Sequence, residues 1–180
     1  LDCRLFKISP ADAELMDPQQ KMLLQTVWHC IEDSGIPLQE LQSKRTAVYI
    51  SYFTSDHRNI LVRAETKPSA AAMLGNCDSC IANRISFIFN FTGESLSVNT
   101  ACAGGLVAIH HAKKALLSGE CDYAVAGGVN LNIDVWKYEC LGEGHMLSAD
   151  GRCKAFSIDA NGYVPGDGAA ALLLQRADDA

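Results

Sequence analysis

The segment from Leu96 to Gly119 constrains the fold more than any other part of the chain. An alternating run (Leu96, Val98, Thr100) enters a cluster of small residues around Cys102, and a helical pattern then runs to Ser118 and is closed by Gly119. Period-2 alternation of β-favouring residues predicts a strand, and apolar residues at helical spacing predict the helix. A strand that passes into a helix through small residues must turn sharply, and such a turn lifts one side chain clear of the backbone. Here that side chain is Cys102. At a helix N-terminus, unpaired N–H groups and the macrodipole favour negative charge, hence the thiolate, which is the reactive form of a cysteine. The sequence therefore points to Cys102 as an acyl-accepting nucleophile, presented by a turn of Thr100, Ala101, Ala103, Gly104 and Gly105. The chain holds seven other cysteines, and most thiols in a reduced protein are simply small buried apolar groups. Only Cys102 combines the strand, the turn and the capped helix.

Composition narrows the class. Hydrophobic residues make up 48% of the 180 and charged ones only 20%, which implies a well-buried globular core rather than a disordered chain. That length suits one ordinary domain or part of a larger one. The net charge of −6 leaves no basic footprint, so nucleic acid is not an expected partner. No apolar run approaches the length of a membrane span, and the start Leu-Asp-Cys-Arg-Leu-Phe-Lys lacks the apolar stretch of a signal peptide. Eight cysteines without a regular framework fit a reduced, cytoplasmic setting. Cys77-Asp-Ser-Cys80 has the spacing of half a zinc site or of a redox pair. No second ligand pair accompanies it, so structural cysteines are expected there, and no metal.

Elsewhere the sequence reads as strands alternating with helices, an α/β layered fold. Asp17 is suited to an N-cap and Pro18 to the first helical position, Leu23, Leu24, Val27, Cys30 and Ile31 share one apolar face, and Gly35 closes the helix. Residues 46–52 read as a buried strand, 55–67 as a polar surface segment, 78–90 as a helix and 96–100 as the strand leading to Cys102. A buried strand is expected over 122–132, with Gly127 and Gly128 marking a close approach of another backbone or of a ligand. Residues 142–168, rich in Gly, Asp, Ser, Asn and Pro, predict a long loop of the kind that carries function, and 169–175 a last strand.

Six motifs follow one another in order: Asp17-Pro-Gln-Gln-Lys-Met-Leu-Leu-Gln25, Asn83-Arg-Ile-Ser-Phe87, Asn99-Thr-Ala-Cys-Ala103, Ala126-Gly-Gly-Val129, Met146-Leu-Ser-Ala-Asp-Gly-Arg-Cys-Lys-Ala-Phe156 and Asp159-Ala-Asn-Gly-Tyr-Val-Pro-Gly-Asp-Gly168. Together they closely resemble the β-ketoacyl synthase (ketosynthase) domain of modular polyketide synthases over nearly the whole chain, and the Ala-Asn-Gly-Tyr-Val-Pro-Gly form looks most like bacterial synthases. The resemblance implies a thiolase-like fold of layered α-β-α-β-α units, of which this chain is one incomplete half, and a homodimer. It implies decarboxylative condensation of acyl and malonyl thioesters, in polyketide or fatty acid biosynthesis, with no cofactor bound directly. The substrates would ride on the phosphopantetheine of an acyl carrier protein. The position matching the family nucleophile is Cys102, whose backbone N–H would contribute to the oxyanion hole; substrate-binding residues stay unassigned.

The chain departs from the family pattern at the turn. Many such domains have Asp where Asn99 stands and serines where Ala103, Gly104 and Gly105 stand. The family's opening glycine-rich strand is expected before Leu1, and the half with its two catalytic histidines after Ala180. The five histidines present do not match those motifs. His110 and His111 lie on the helix after Cys102 and point away from it, His29 sits in the first helix, His57 in the polar segment and His145 in the long loop. Two other readings stand beside a partial ketosynthase: a non-catalytic half-domain that docks or dimerises, and a cysteine acyltransferase or hydrolase using His145 as base.

Overall fold

A computed structural model describes residues 1–179. Helix α1 (Pro10–Leu15) starts where the Ser9 hydroxyl accepts from Asp12 N–H at 3.0 Å. Helix α2 (Pro18–Ser34) is capped as its sequence predicts. Asp17 Oδ1 accepts from Gln19 N–H at 2.8 Å, and Gly35 takes the left-handed conformation at φ 70°. Such a cap contributes about 1 kcal/mol. Asp17 is itself buried, because its second oxygen accepts from the Ser55 hydroxyl at 2.6 Å and ties the helix start to a distant loop. Helix α3 (Leu38–Ser43), strand β1 (Thr46–Ser51), helices α4 (Asp56–Arg63), α5 (Ala70–Gly75) and α6 (Cys80–Phe89) follow. Then come β2 (Ser95–Val98), a 3₁₀ turn at Ala101–Ala103, α7 (Gly104–Leu117), β3 (Tyr123–Asn130), α8 (Val135–Glu143) and β4 (Gly168–Gln175).

The strands lie in the order β2-β1-β3-β4, with β2, β1 and β3 mutually parallel and β4 antiparallel on the edge. Between β1 and β2 the chain passes through α4, α5 and α6, and between β2 and β3 it crosses over β1 through α7. The strand alternation assigns each residue to one of two cores. Val48, Ile50, Val125 and Val129 face α2 and α6, packed with Leu23, Leu24, Val27, Ile81 and Ile85. Ala47, Tyr49, Ala124 and Ala126 face α7, packed with Ala108, Ala112, Ala115 and Leu116. The alanines on both sides of this second interface let α7 lie close on the sheet. The result is three layers, helix, sheet and helix, which match the first three of the expected five.

Several expectations are refined. The polar segment 55–67 contains a helix, α4, whose Asp56 is buried. Helices α1, α3, α5 and α8 have no counterpart in the sequence reading. β2 is an edge strand that ends at Val98; Val98 is buried, whereas Leu96 and Thr100 are exposed. The close approach predicted at the Gly127-Gly128 pair exists and comes from a backbone: a Cβ on Gly127 would lie 2.5 Å from the Ala170 carbonyl of β4. Residues 142–168 are irregular beyond the end of α8, apart from one bridge between Leu147 and Tyr163. Among the described residues no helix is long and apolar enough to cross a membrane, and no cluster of three His, Cys, Asp or Glu side chains is arranged to hold a metal.

Candidate active site

In open α/β sheets the crevice for ligands lies beyond the C-terminal ends of the parallel strands, where neighbouring connections leave in opposite directions. Here that place is the end of β1, flanked by β2 and β3: Ser51 pairs with Val98 on one side and Gly128 on the other. The far end of these strands is closed by a salt bridge. Arg45 donates Nε–H and Nη2–H to the two oxygens of Asp122 at 3.3 and 3.0 Å, and the guanidinium holds that carboxyl below its ordinary range.

Beyond Val98 the chain turns toward α7 through Asn99, Thr100 and the 3₁₀ turn. Cys102 sits in the middle of that turn and is exposed, two residues before the first residue of the α-helix proper rather than on its first turn. The sharp bend itself falls on Ala101, at φ 48°. A left-handed alanine costs roughly 1–2 kcal/mol, so the bend persists only because its neighbours fix it. Asn99 is one such neighbour. Its Nδ2–H donates to the Phe53 carbonyl at 2.9 Å, and its Oδ1 accepts from Ala101 N–H at 3.3 Å. One side chain thus ties the loop after β1 to the strained residue.

Gly104 is the second. It is buried against the end of β1, and a Cβ there would lie 1.9 Å from Ser51 Oγ. A serine, which many ketosynthases carry at this position, fits only if the Ser51 hydroxyl moves aside, so Ser51 and Gly104 are packed as a pair. Gly105 has open space around its Cα and is under no such constraint. Ala103 N–H donates to Thr100 O and Gly104 N–H to Ala101 O, while Cys102 N–H has no partner among the described residues. The exposed thiol and this free N–H belong to the same residue.

Tyr52 completes the surroundings. Burial first, and then the neighbouring Asp78 carboxylate, push its hydroxyl well above the ordinary tyrosine value, so it stays protonated. Sequence reasoning missed Tyr52, Ser51 and the part played by Asn99. For Asn99 the signal was present: an asparagine two residues before a turn N–H is the pattern of an Asx turn.

None of the histidines forms a hydrogen bond with Cys102 or its turn among the described residues. His111 stacks on Tyr49 with ring centroids 6.0 Å apart, and His57 Nδ1 lies 2.8 Å from Asn76 Oδ1. His29, His110 and His145 are exposed, the last in the left-handed conformation just past α8.

An α/β sheet with an exposed cysteine in a strand-to-helix turn fits the thiolase-like fold that the resemblance implies, and the comparisons with known proteins agree. The family model described as "Beta-ketoacyl synthase, N-terminal domain" matches residues 1–180, and the chain belongs to that family. The chain is 42% identical to a hybrid PKS-NRPS synthetase, iccA, of Talaromyces variabilis over 97% of its length, and 38% identical to a 6-methylsalicylic acid synthase of Aspergillus niger over 99%. It spans only 4% and 10% of those proteins. Among solved structures it resembles the oxazolomycin ketosynthase domain OzmH KS7 of Streptomyces albus JA3453, with a TM-score of 0.92 and 38% identity, covering 99% of this chain and 31% of that one. The module 6 ketosynthase of the bacillaene synthase from Bacillus subtilis 168 gives a TM-score of 0.88 at 38% identity, with 99% and 30% covered. The chain is thus a ketosynthase sequence of the polyketide synthase kind, with likenesses in fungi as well as bacteria.

Proposed function

We propose that this chain is the nucleophile-bearing part of a ketosynthase domain, an acyltransferase that condenses acyl and malonyl thioesters with loss of carbon dioxide. The observation that carries the reading is the geometry at Cys102: an exposed thiol beyond the parallel strand ends, with its own N–H unpaired. Cys102 as thiolate attacks the thioester carbonyl of an acyl group held on the phosphopantetheine of an acyl carrier protein. The oxyanion that forms is stabilised by Cys102 N–H, a contribution typically worth about 3 kcal/mol. Collapse expels the carrier thiol and leaves acyl-Cys102. The second stage, in which a malonyl unit loses carbon dioxide and its carbanion attacks acyl-Cys102, needs groups that position the carboxylate and the enolate oxygen. Among the described residues no histidine is hydrogen-bonded to the turn to do so, and the reading places those groups in the rest of the domain, which acts as a homodimer.

The test is a condensation assay with acyl- and malonyl-carrier proteins read by mass spectrometry. The synthase containing this chain forms a β-ketoacyl product and loses it by roughly 10³-fold or more in Cys102→Ala. Residues 1–180 alone give none. A product from the chain alone would contradict the division of labour and put the missing base among its own histidines, His145 first. Unchanged product in Cys102→Ala synthase would refute the nucleophile and favour a docking or dimerisation role.

A further inference from the structure

The second cysteine motif of the chain is untouched by the condensation chemistry. Cys77 and Cys80 flank a turn closed by a hydrogen bond from Cys80 N–H to Cys77 O at 3.1 Å. A turn of that kind holds its end Cα atoms within about 7 Å, against the ~4.4–6.8 Å that a disulfide spans. Both thiols are half-buried and both are free. Cys80 is the first residue of α6, a ten-residue helix, so its position is fixed, whereas Cys77 lies in the loop before it. The Ser79 hydroxyl, 3.3 Å from Cys77 Sγ, pulls the Cys77 thiol below its ordinary value. Burial, and then the charge of a neighbouring Cys77 thiolate, push the Cys80 thiol up. The two thiols therefore sense each other and differ in the way that distinguishes an attacking from a resolving cysteine.

We propose that Cys77 and Cys80 form a reversible thiol–disulfide site, oxidised by a small-molecule disulfide of the glutathione type. Cys77 thiolate attacks one sulfur of the disulfide; that S–S bond breaks, and the first small thiolate leaves and takes a proton. Cys80 gives its proton to solvent and attacks the Cys77 sulfur of the mixed disulfide, and the second small thiolate leaves. Two protein thiols lose two electrons and two protons, and one small disulfide gains them as two thiols. The site lies against the structure that presents Cys102. The Ser79 carbonyl accepts from the Ser97 hydroxyl of β2 at 3.4 Å, and Ser97 Oγ accepts from Ala82 N–H of α6 at 3.3 Å.

The test equilibrates the purified synthase with glutathione buffers from reducing to oxidising, quenches in acid, alkylates the free thiols and maps the peptides. Cys77 and Cys80 lie between Arg63 and Arg84 with only Lys67-Pro68 between, so trypsin leaves them on one peptide. That peptide is expected to lose two hydrogens and resist alkylation, at an oxidant level roughly tenfold below that which modifies Cys140 or Cys153. A dithiol reductant restores it. In Cys80→Ser the glutathione adduct stays on Cys77. Two alkylated thiols at every buffer composition, or wild-type peptide that stops at a glutathione adduct, would overturn the proposal. An adduct absent from Cys77 in the Cys80→Ser protein would overturn the assigned order of attack.

Discussion

Two stretches of this chain carry polar and glycine-rich family motifs, and they are held in opposite ways. Residues 97–105 are set by the body of the protein: Asn99 is tied to Phe53, Gly104 is pressed on Ser51, and the α7 that follows is buried along its alanine face. Residues 146–168 are held chiefly to themselves. Ser148 N–H donates to Tyr163 O and Tyr163 N–H to Met146 O, both at 2.9 Å, and the Ser148 hydroxyl donates to Asp150 and Asn161. Their main link to the sheet is at the end of β3, where Asn130 and Asn132 donate to the Gly166 carbonyl and Asn132 to Asp167. Phe156 and Ile158 are fully exposed. The Cys102 turn thus takes its geometry from long-range packing and the loop from local hydrogen bonds, so only the first couples the core to the Cys102 thiol.

The largest expected effect separates the two regions by stability. Leu24→Ala, at a fully buried site between α2 and the sheet, is expected to cost about 2–5 kcal/mol. Phe156→Ala in the loop is expected to stay within about 0.5 kcal/mol, since it removes no buried contact. Urea unfolding of both variants checks the pair, and a Phe156 variant as damaged as the Leu24 one would erase the distinction.

The Cys102 turn itself comes next. Gly104→Ser forces a Cβ into Ser51 Oγ, and overpacking of this kind costs about 1–3 kcal/mol. Adding Ser51→Gly should recover most of the loss. A thermal melt of the single and double variants decides it; equal midpoints would show that the contact is soft and that the turn is not fixed from below.

How far the sequence announced these regions follows from the range of the contacts. Helix α2 was legible because Asp17, Pro18 and Gly35 are local signals, and β1 and β3 because runs buried on both faces are continuously apolar. Cys102 stood out for the same reason, its small neighbours being adjacent in sequence. The Ser51–Gly104 contact joins residues far apart in the chain, and no local pattern announces it. Helix α8 escaped because Val135, Trp136 and Tyr138 are exposed, so its apolar residues mark no inward face. Helix α4 escaped because the residue it buries is Asp56. The antiparallel direction of β4 is set by its pairing with β3, which an apolar run does not encode.

A smaller effect is expected at Asn99. Asn99→Asp keeps the acceptor for Ala101 N–H but replaces the donor to Phe53 O with an oxygen that repels it, a loss of about 0.5–1.5 kcal/mol. The melt should shift slightly, and alkylation of Cys102 should change more than alkylation of Cys153 in the loop. Equal changes at both thiols would mean that Asn99 acts on the whole fold rather than on the turn.

In the proposed function the turn presents Cys102 as the acyl acceptor. Incubation of the synthase with an acyl thioester of a phosphopantetheine mimic at neutral pH, followed by peptide mapping, tests it directly. The acyl group is expected on Cys102, with Cys3, Cys77, Cys140 and Cys153 unmodified and no acylation in Cys102→Ala. Acyl groups on another thiol with Cys102 free, or acylation that persists in Cys102→Ala, would contradict it.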